Sequence, residues 1–269
     1  MNRFAADWLS LRETFDARAR NADVMLAVAE TFKGMPSLIA ADLACGTGAT
    51  RRALTPHLPM PQHWRLYDND LSLLARAATP PAPAGSSIKT MPVDLVHDLE
   101  ATLDGAPDLI ATSALLDLVS EEWLERLITE CAARNLPLYA ALTYNGEVRL
   151  DPVDRLDAAV VAAVNRHQST DKGFGPALGA EAAAALIAGC KALGLFVVEG
   201  PSDWIVTPVD REMQSAMLTQ WAQTAQAIGD LSAADIAGWF QRRREFVANG
   251  VSIMRVGHRD VFARPMQMR

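Results

Sequence analysis

Short apolar runs recur along the first 144 residues, with helical patterns between them. SLIAADLA (37–44), HWRLYD (63–68), SIKTMPVD (87–94), PDLIATSA (107–114) and PLYAALTY (137–144) are each short enough for a buried strand. The intervening segments read as helices, above all SEEWLERLITECAARN (120–135), with Ser120 as N-cap and two glutamates in the first turn. This alternation predicts right-handed βαβ crossovers and a parallel sheet. Such a sheet binds ligands beyond the C-terminal ends of its strands, near the point where strand order reverses.

After residue 144 the pattern changes. Helices are expected over 151–167 and 180–193, with a polar, glycine-rich loop (168–179) between them. Strand-like LFVVEG (195–200) and DWIVTP (203–208) follow, then helices over 210–228 and 232–248, then VSIMRVGHRDVFARP (251–265), whose ends read as strand. The late strands suggest a hairpin edge of the same sheet, with 209–250 inserted into it. In the first helix, at about 100° per residue, Trp8, Leu11, Phe15, Ala19 and Ala22 share one face. Arg12 and Arg18 flank that face, Arg20 points away, and Arg12 and Asp16 are spaced to pair.

Half of the 269 residues are hydrophobic and 21% are charged, ample for a core. A net charge of −7 disfavours nucleic acid and anionic membrane as partners, since both need a basic surface. The one dense basic run, Arg242 to Arg244, reads as a solvated helix face. Cys45, Cys131 and Cys190 are unclustered, so neither a disulfide framework nor a metal site is expected. Early charges (Arg3, Asp7, Arg12, Glu13) interrupt any signal-peptide pattern, and no later window of about 18 residues is apolar throughout. A cytoplasmic protein acting on a small solute is the expectation.

The segment IAADLACGTGATRRAL (39–54) places Gly46 and Gly48 just past the first strand, where glycine admits a ligand close to backbone N–H groups. A dinucleotide fingerprint needs a small residue at position 51, occupied here by Arg51, and a phosphate-binding P-loop needs a lysine that is absent. Asp42, Asp68, Asp70 and Asp94 all lie at expected strand C-termini. An acidic crevice favours a cationic ligand over a pyrophosphate.

The string D-L-A-C-G-T-G, from Asp42, resembles the first motif of class I S-adenosylmethionine-dependent methyltransferases; RLYDNDLSLLARA, MPVDL and PDLIATSALLDLV resemble the second, third and fourth. These matches span residues 38–119, and the tail VGHRDVFARP looks like the closing strand of some bacterial members. The resemblance implies a Rossmann-like, doubly wound α/β fold: a mostly parallel seven-stranded sheet with an antiparallel edge strand, helices on both faces, and N- and C-terminal helical additions. On that basis the chain divides into a helical cap (1–36), a core (37–208), a helical insertion (209–250) and a closing edge strand (251–269) of a single domain.

It also implies S-adenosylmethionine as cofactor. Asp42 opens the motif, Gly46 and Gly48 admit the methionine portion, and the carbonyl of Ala44, in place of the commoner glycine, accepts from its ammonium. Asp68, with Asn69 beside it, accepts the ribose hydroxyls; Asp94 and the amide of Leu95 meet the adenine; Ser113 and Ala114 run beside the methionine portion. Arg18 is a candidate for its carboxylate.

Methyl transfer is an in-line displacement, so the protein mainly aligns an acceptor and excludes water. The loop 165–179 is the expected source of acceptor contacts, with His167 as candidate base, Asp171 and Lys172 as binding residues, and Phe174 as a lid between Gly173 and Gly175. Tyr144 and Asn145 fall over the methyl group by topology, and Trp204 is a candidate wall. Structural roles compete: Arg166 and His167 complement a helix end, Asp70 caps a helix, Cys45 fills a turn, Trp221 and Trp239 are core, and His57, His63 and His97 are surface residues. Two alternatives to a methyltransferase of small molecules remain, a non-catalytic cofactor-binding regulatory module and, less favoured because of Arg51, an NAD-dependent reductase.

Overall fold

A computed structural model describes residues 6–266. Strands β1 (Leu38–Leu43), β2 (Gln62–Asp68), β3 (Ser87–Pro92), β4 (Leu109–Ser113) and β5 (Leu138–Asp151) pair in parallel in the order β3-β2-β1-β4-β5. Beyond β5 the sheet continues with β8 (Ile253–Arg264) and then β6 (Phe196–Pro201). β8 runs antiparallel to both neighbours. A short β7 (Trp204–Val206) also pairs with β8, and β6 and β7 meet successive stretches of it (Pro201↔Arg259, then Trp204↔Val256). They act as one strand interrupted at Ser202 and Asp203, which reconciles eight strands with the seven expected.

Ten α-helices accompany the sheet among the described residues. They are α1 (Ala6–Ala19), α2 (Ala22–Phe32), α3 (Ala49–Leu54), α4 (Leu71–Ala77), α5 (Leu99–Leu103), α6 (Glu121–Arg134), α7 (Asp157–Gln168), α8 (Ala182–Ala192), α9 (Arg211–Ile228) and α10 (Ala233–Ala248). Successive strand residues point to opposite faces, and two cores follow from this. Ala41, Ile110, Leu138 and Ala140 meet Leu103, Trp123, Leu127 and Leu186 of α5, α6 and α8. Ala40, Leu109, Tyr139 and Ala141 meet Val24, Phe32, Leu54 and Leu74 of α2, α3 and α4. A third core gathers Phe15 of α1, Leu150 of β5, Val160 of α7, Met217 and Trp221 of α9, and Trp239 of α10.

Two departures from the sequence reading shape this third core. β5 runs to Asp151, seven residues past Tyr144, and keeps pairing with β8 from Val148↔Val256 to Asp151↔Ile253. Where the strand was expected to end at 144 and a helix to start at 151, the strand runs on through Gly146 (φ +83°), which sits in a register shift, and α7 starts only at Asp157. The basic run is likewise not solvated throughout: Arg244 is exposed, but its neighbours are not free in water. Arg243 is fully buried, its Nε donating to Asp157 Oδ1 at 2.9 Å, where Trp239 Nε1 also donates at 2.8 Å. Arg242 pairs with Asp154. Arg20 does not point away either: α1 ends at Ala19, so its periodicity no longer applies, and Arg20 Nη1 donates to the buried Tyr139 hydroxyl at 3.0 Å.

Removing Asp157 strands a buried guanidinium. Asp157→Ala is expected to lower unfolding stability by about 3–5 kcal/mol, measured by urea denaturation. A loss under about 1 kcal/mol, the worth of a surface pair, would show that Arg243 is solvated after all.

Candidate functional site

At the tip of β1 the two glycines serve different needs. A side chain at Gly46 (φ +54°) would touch Leu9 of α1 at 3.4 Å, whereas one at Gly48 (φ +83°) would strike the Ala77 carbonyl oxygen at 2.6 Å. Gly46 therefore keeps the loop open toward α1, and Gly48 lets α3 pack against the end of α4. Arg51 turns away from the loop, its Nη2 donating to the carbonyls of Thr79 (2.9 Å) and Pro80 (3.1 Å).

Asp68, at the end of β2, ties the loop to the second strand. Its Oδ2 accepts the Gly46 N–H at 2.8 Å and its Oδ1 the Asp70 N–H at 2.9 Å. Burial pushes this carboxyl's pKa up and the backbone N–H groups pull it back. Asp70 caps α4, its Oδ1 accepting from the amide and hydroxyl of Ser72.

These groups open onto a cavity of about 350 Å³ between the strand ends and the third core. One end is lined by Ala44, Gly46, Asp68, Asn69, Asp70, Leu95, Ser113 and Ala114. The other carries Asp117, Tyr144, His167, Lys172, Trp204 and His258, with Phe174 also in the wall. Leu9 and Arg12 of α1 and Met217 and Trp221 of α9 line it as well. Trp221 is thus both core and cavity wall.

The remaining candidates lie outside that lining. Arg18 stacks on Phe15 and approaches Asp210 at 3.9 Å. Asp42 is fully buried behind the loop, and neither of its oxygens has a hydrogen-bond partner among the described residues. Asp94 is exposed and accepts the Val96 N–H. Asn145 accepts the Glu147 N–H, and Asp171 Oδ1 accepts the N–H groups of Gly173 and Gly175, fixing that loop as a turn. Phe174, held between these glycines, packs edge-on against Trp123 at 5.4 Å.

The far end is polar but internally matched. Arg12 donates to Asp16 (Nε to Oδ2, 3.0 Å) and lies 4.7 Å over the Trp204 ring, whose Nε1 donates to Asp16 Oδ1 at 3.0 Å. Lys172 Nζ donates to the His167 carbonyl (2.7 Å) and the Thr170 hydroxyl (2.8 Å), and lies 3.3 Å from His167 Nδ1. Burial, then the Lys172 charge, lower the His167 pKa, so its ring is neutral at pH 7. Burial and the Arg12 charge press His258 down to about 3. Tyr144 donates to Asn165 Oδ1 at 2.6 Å, and its phenol is pushed up by burial and by Asp117.

Asp117 and His258 escaped the sequence reading. Asp117 stands inside the fourth motif string, a signal that was present, whereas His258 sits in a closing strand with nothing local to mark it. Its neighbours Tyr144 and Trp204 come from distant parts of the chain, at ring separations of 6.0 and 4.9 Å.

No protein-family model matches the chain, and none of the curated proteins compared with it does. Solved structures do match. The cyclopropane synthase MmaA2 from Mycobacterium tuberculosis superposes over 96% of this chain and 95% of its own at 9% identity, with a TM-score of 0.50. A Bacillus halodurans protein described as a candidate methyltransferase covers 91% of this chain and 100% of its own at 10% identity, with a TM-score of 0.52. A S-adenosylmethionine-dependent methyltransferase from Thiobacillus denitrificans, solved with S-adenosylhomocysteine, has a TM-score of 0.47 at 13% identity over 97% of this chain and 99% of that one. The first two likenesses show the fold alone, a Rossmann-like α/β fold that this chain shares with these proteins.

Asp42 carries a consequence for stability. Burial raises its pKa to about 8 against the pull of Arg20. The unfolded chain releases this proton first, near pH 4, so unfolding is favoured progressively as pH rises from about 4 to about 8. Asp68 and Asp117, also raised, act with the same sign. Asp42→Asn is expected to flatten this decline, seen as a smaller drop in urea midpoint between pH 5 and pH 8 than in the wild type. An equal drop in both proteins would refute the assignment.

Proposed function

We propose that this chain is a S-adenosylmethionine-dependent methyltransferase acting on a small-molecule acceptor. The observation that carries the reading is the state of Asp68. Backbone N–H groups of Gly46, Asp70 and Asn69 bond it, and a carboxylate offers about four lone-pair sites. Accepting capacity is left on this carboxylate where it lines the cavity, and a ribose hydroxyl satisfies it. Leu73, Val93 and Leu95 supply an apolar wall next to it for an adenine ring. The acidic pair Asp68 and Asp70 favours a cofactor carrying sulfonium and ammonium charges.

Bound there, S-adenosylmethionine supplies an electrophilic methyl carbon on a sulfonium. The chain's own residues do the rest by position. Ala44, Gly46, Ser113 and Ala114 form the wall for the methionine portion. Leu9 covers the loop, and the third core closes the far end from water. Tyr144 and His167, both neutral, and Trp204 form the acceptor wall, with Lys172 braced against His167. Asp94, Arg18, Asn145 and Asp171 have no part in this reading, since each lies outside the cavity lining.

The test is calorimetric titration with S-adenosylhomocysteine and with NAD. Asp68→Ala is expected to weaken S-adenosylhomocysteine binding by about 1.5–3 kcal/mol, the worth of hydrogen bonds to a charged group. Gly46→Val should abolish binding with the fold retained by circular dichroism, and His167→Ala should leave affinity within about twofold. Binding of NAD in preference, or unchanged affinity in Asp68→Ala, would overturn the reading.

A further inference from the structure

Among the described residues the cavity is lined by six acidic or basic side chains besides two histidines, and they divide by place. Asp68 and Asp70 stand at the glycine-loop end, whereas Arg12, Asp16, Asp117 and Lys172 stand at the far end, two of each sign. The far four are matched among themselves. Arg12 donates to both Asp16 oxygens, from Nε at 3.0 Å and Nη2 at 3.2 Å. Burial raises Asp117 only to about 6, against backbone amides and the charges of Arg12 and Lys172, so it is ionised at neutral pH. The Lys172 ammonium is held by the His167 carbonyl and the Thr170 hydroxyl and lies in the field of Asp117. His167 and His258 are both neutral there. The far end therefore carries no net charge. An ion entering it loses its hydration and meets no unmatched counter-charge, so its desolvation is not offset. A cation does not gain from the Trp204 ring either, because the Arg12 guanidinium already lies 4.7 Å over it.

What this end offers instead is apolar and flat. Tyr144, Trp204 and Trp221 line it together with Val164, Met217 and Val256. Trp204 is held as a fixed wall: its Nε1 donates to Asp16 Oδ1 at 3.0 Å, Trp8 meets it edge-on at 6.3 Å, and the His258 ring lies at 4.9 Å. Against rings so fixed, a planar body packs with more contact than a puckered one. A cavity of about 350 Å³, shared with a cofactor, restricts that body to small size.

We infer that the far end seats the methyl acceptor as an uncharged molecule with a planar aromatic body, and that the balance of Arg12 and Lys172 against Asp16 and Asp117 selects it over anionic and cationic relatives. Naming that occupant as the acceptor rests on the methyltransferase reading above; the preference for an uncharged ring rests on the lining alone. Selection by charge balance moves when the balance is broken. Asp16→Asn keeps an oxygen for Trp204 Nε1 but leaves the far end one positive charge in excess. Lys172→Gln leaves it one negative charge in excess.

The experiment is calorimetric titration of the full chain at pH 7, free and saturated with S-adenosylhomocysteine, with 2-naphthol, 2-naphthoic acid, 2-naphthylmethylamine and 2-decalol. These present one two-ring skeleton as uncharged, anionic, cationic and saturated forms. The naphthol is expected to bind about tenfold or more tightly than the acid and the amine, and about threefold or more tightly than the decalol. Asp16→Asn should shift the affinity ratio of acid to naphthol about tenfold toward the acid, and Lys172→Gln the ratio of amine to naphthol about as far toward the amine. Circular dichroism checks that both variants keep the fold, and the paired shifts locate the ligand at the far end. Preference of the wild type for the acid or the amine, equal binding of naphthol and decalol, binding of none of the four, or ratios unmoved in both variants overturns the proposal while leaving the methyltransferase reading standing. Absence of S-adenosylhomocysteine binding with the naphthol preference intact overturns that reading and leaves the uncharged aromatic seat in place.

Discussion

The antiparallel pairing of β5 with β8 beyond the end of the parallel sheet is the constraint on which the rest depends. The parallel strands β1 to β4 stop at Leu43, Asp68, Pro92 and Ser113, but β5 continues to Asp151 with β8 alongside. The continuation bends through two register shifts. In the first, Leu142 adopts φ +53° and donates its N–H to Asp260 Oδ1 at 2.8 Å. A bulge of this kind re-aims the strand and the side chains after it, and Tyr144 is the second of those.

Asp260 also links this bend to the N-terminal helices. Its Oδ2 accepts the N–H of Asn21, the residue that caps α2. The place where α1 gives way to α2 is thus tied to the place where β5 leaves the sheet. Leu9 then lies over the glycine loop, and Arg12 and Asp16 reach Trp204 of β7. The two ends of the cavity are coupled by one overrunning pair of strands, and the cavity is the space it leaves between the glycine loop and the third core.

What was readable in the sequence follows from the same division. Gly46, Asp68 and the Asp70 cap sit where local signals put them, at strand ends followed by helix starts, and each is bound within a few residues or to the adjacent strand. Arg243, Arg20 and Trp204 were misjudged or underweighted because their partners Asp157, Tyr139 and Asp16 lie 86, 119 and 188 residues away. A run of arginines looks the same whether it faces water or a buried carboxylate. The Asn145-Gly146 pair is a turn signal in isolation, overridden here by a strand already paired on both sides of it.

The two ends of the cavity also differ in how their charge is arranged, and this explains why the far end resisted a local reading. At the glycine-loop end, the Asp68 carboxylate is held by backbone N–H groups at the tips of two adjacent strands, positions that the strand-end motifs mark. At the far end, α1, β7, α7 and its loop each supply a side chain, and Arg12, Asp16 and Trp204 meet only because the fold lays α1 against β7, a contact that no local stretch of sequence records.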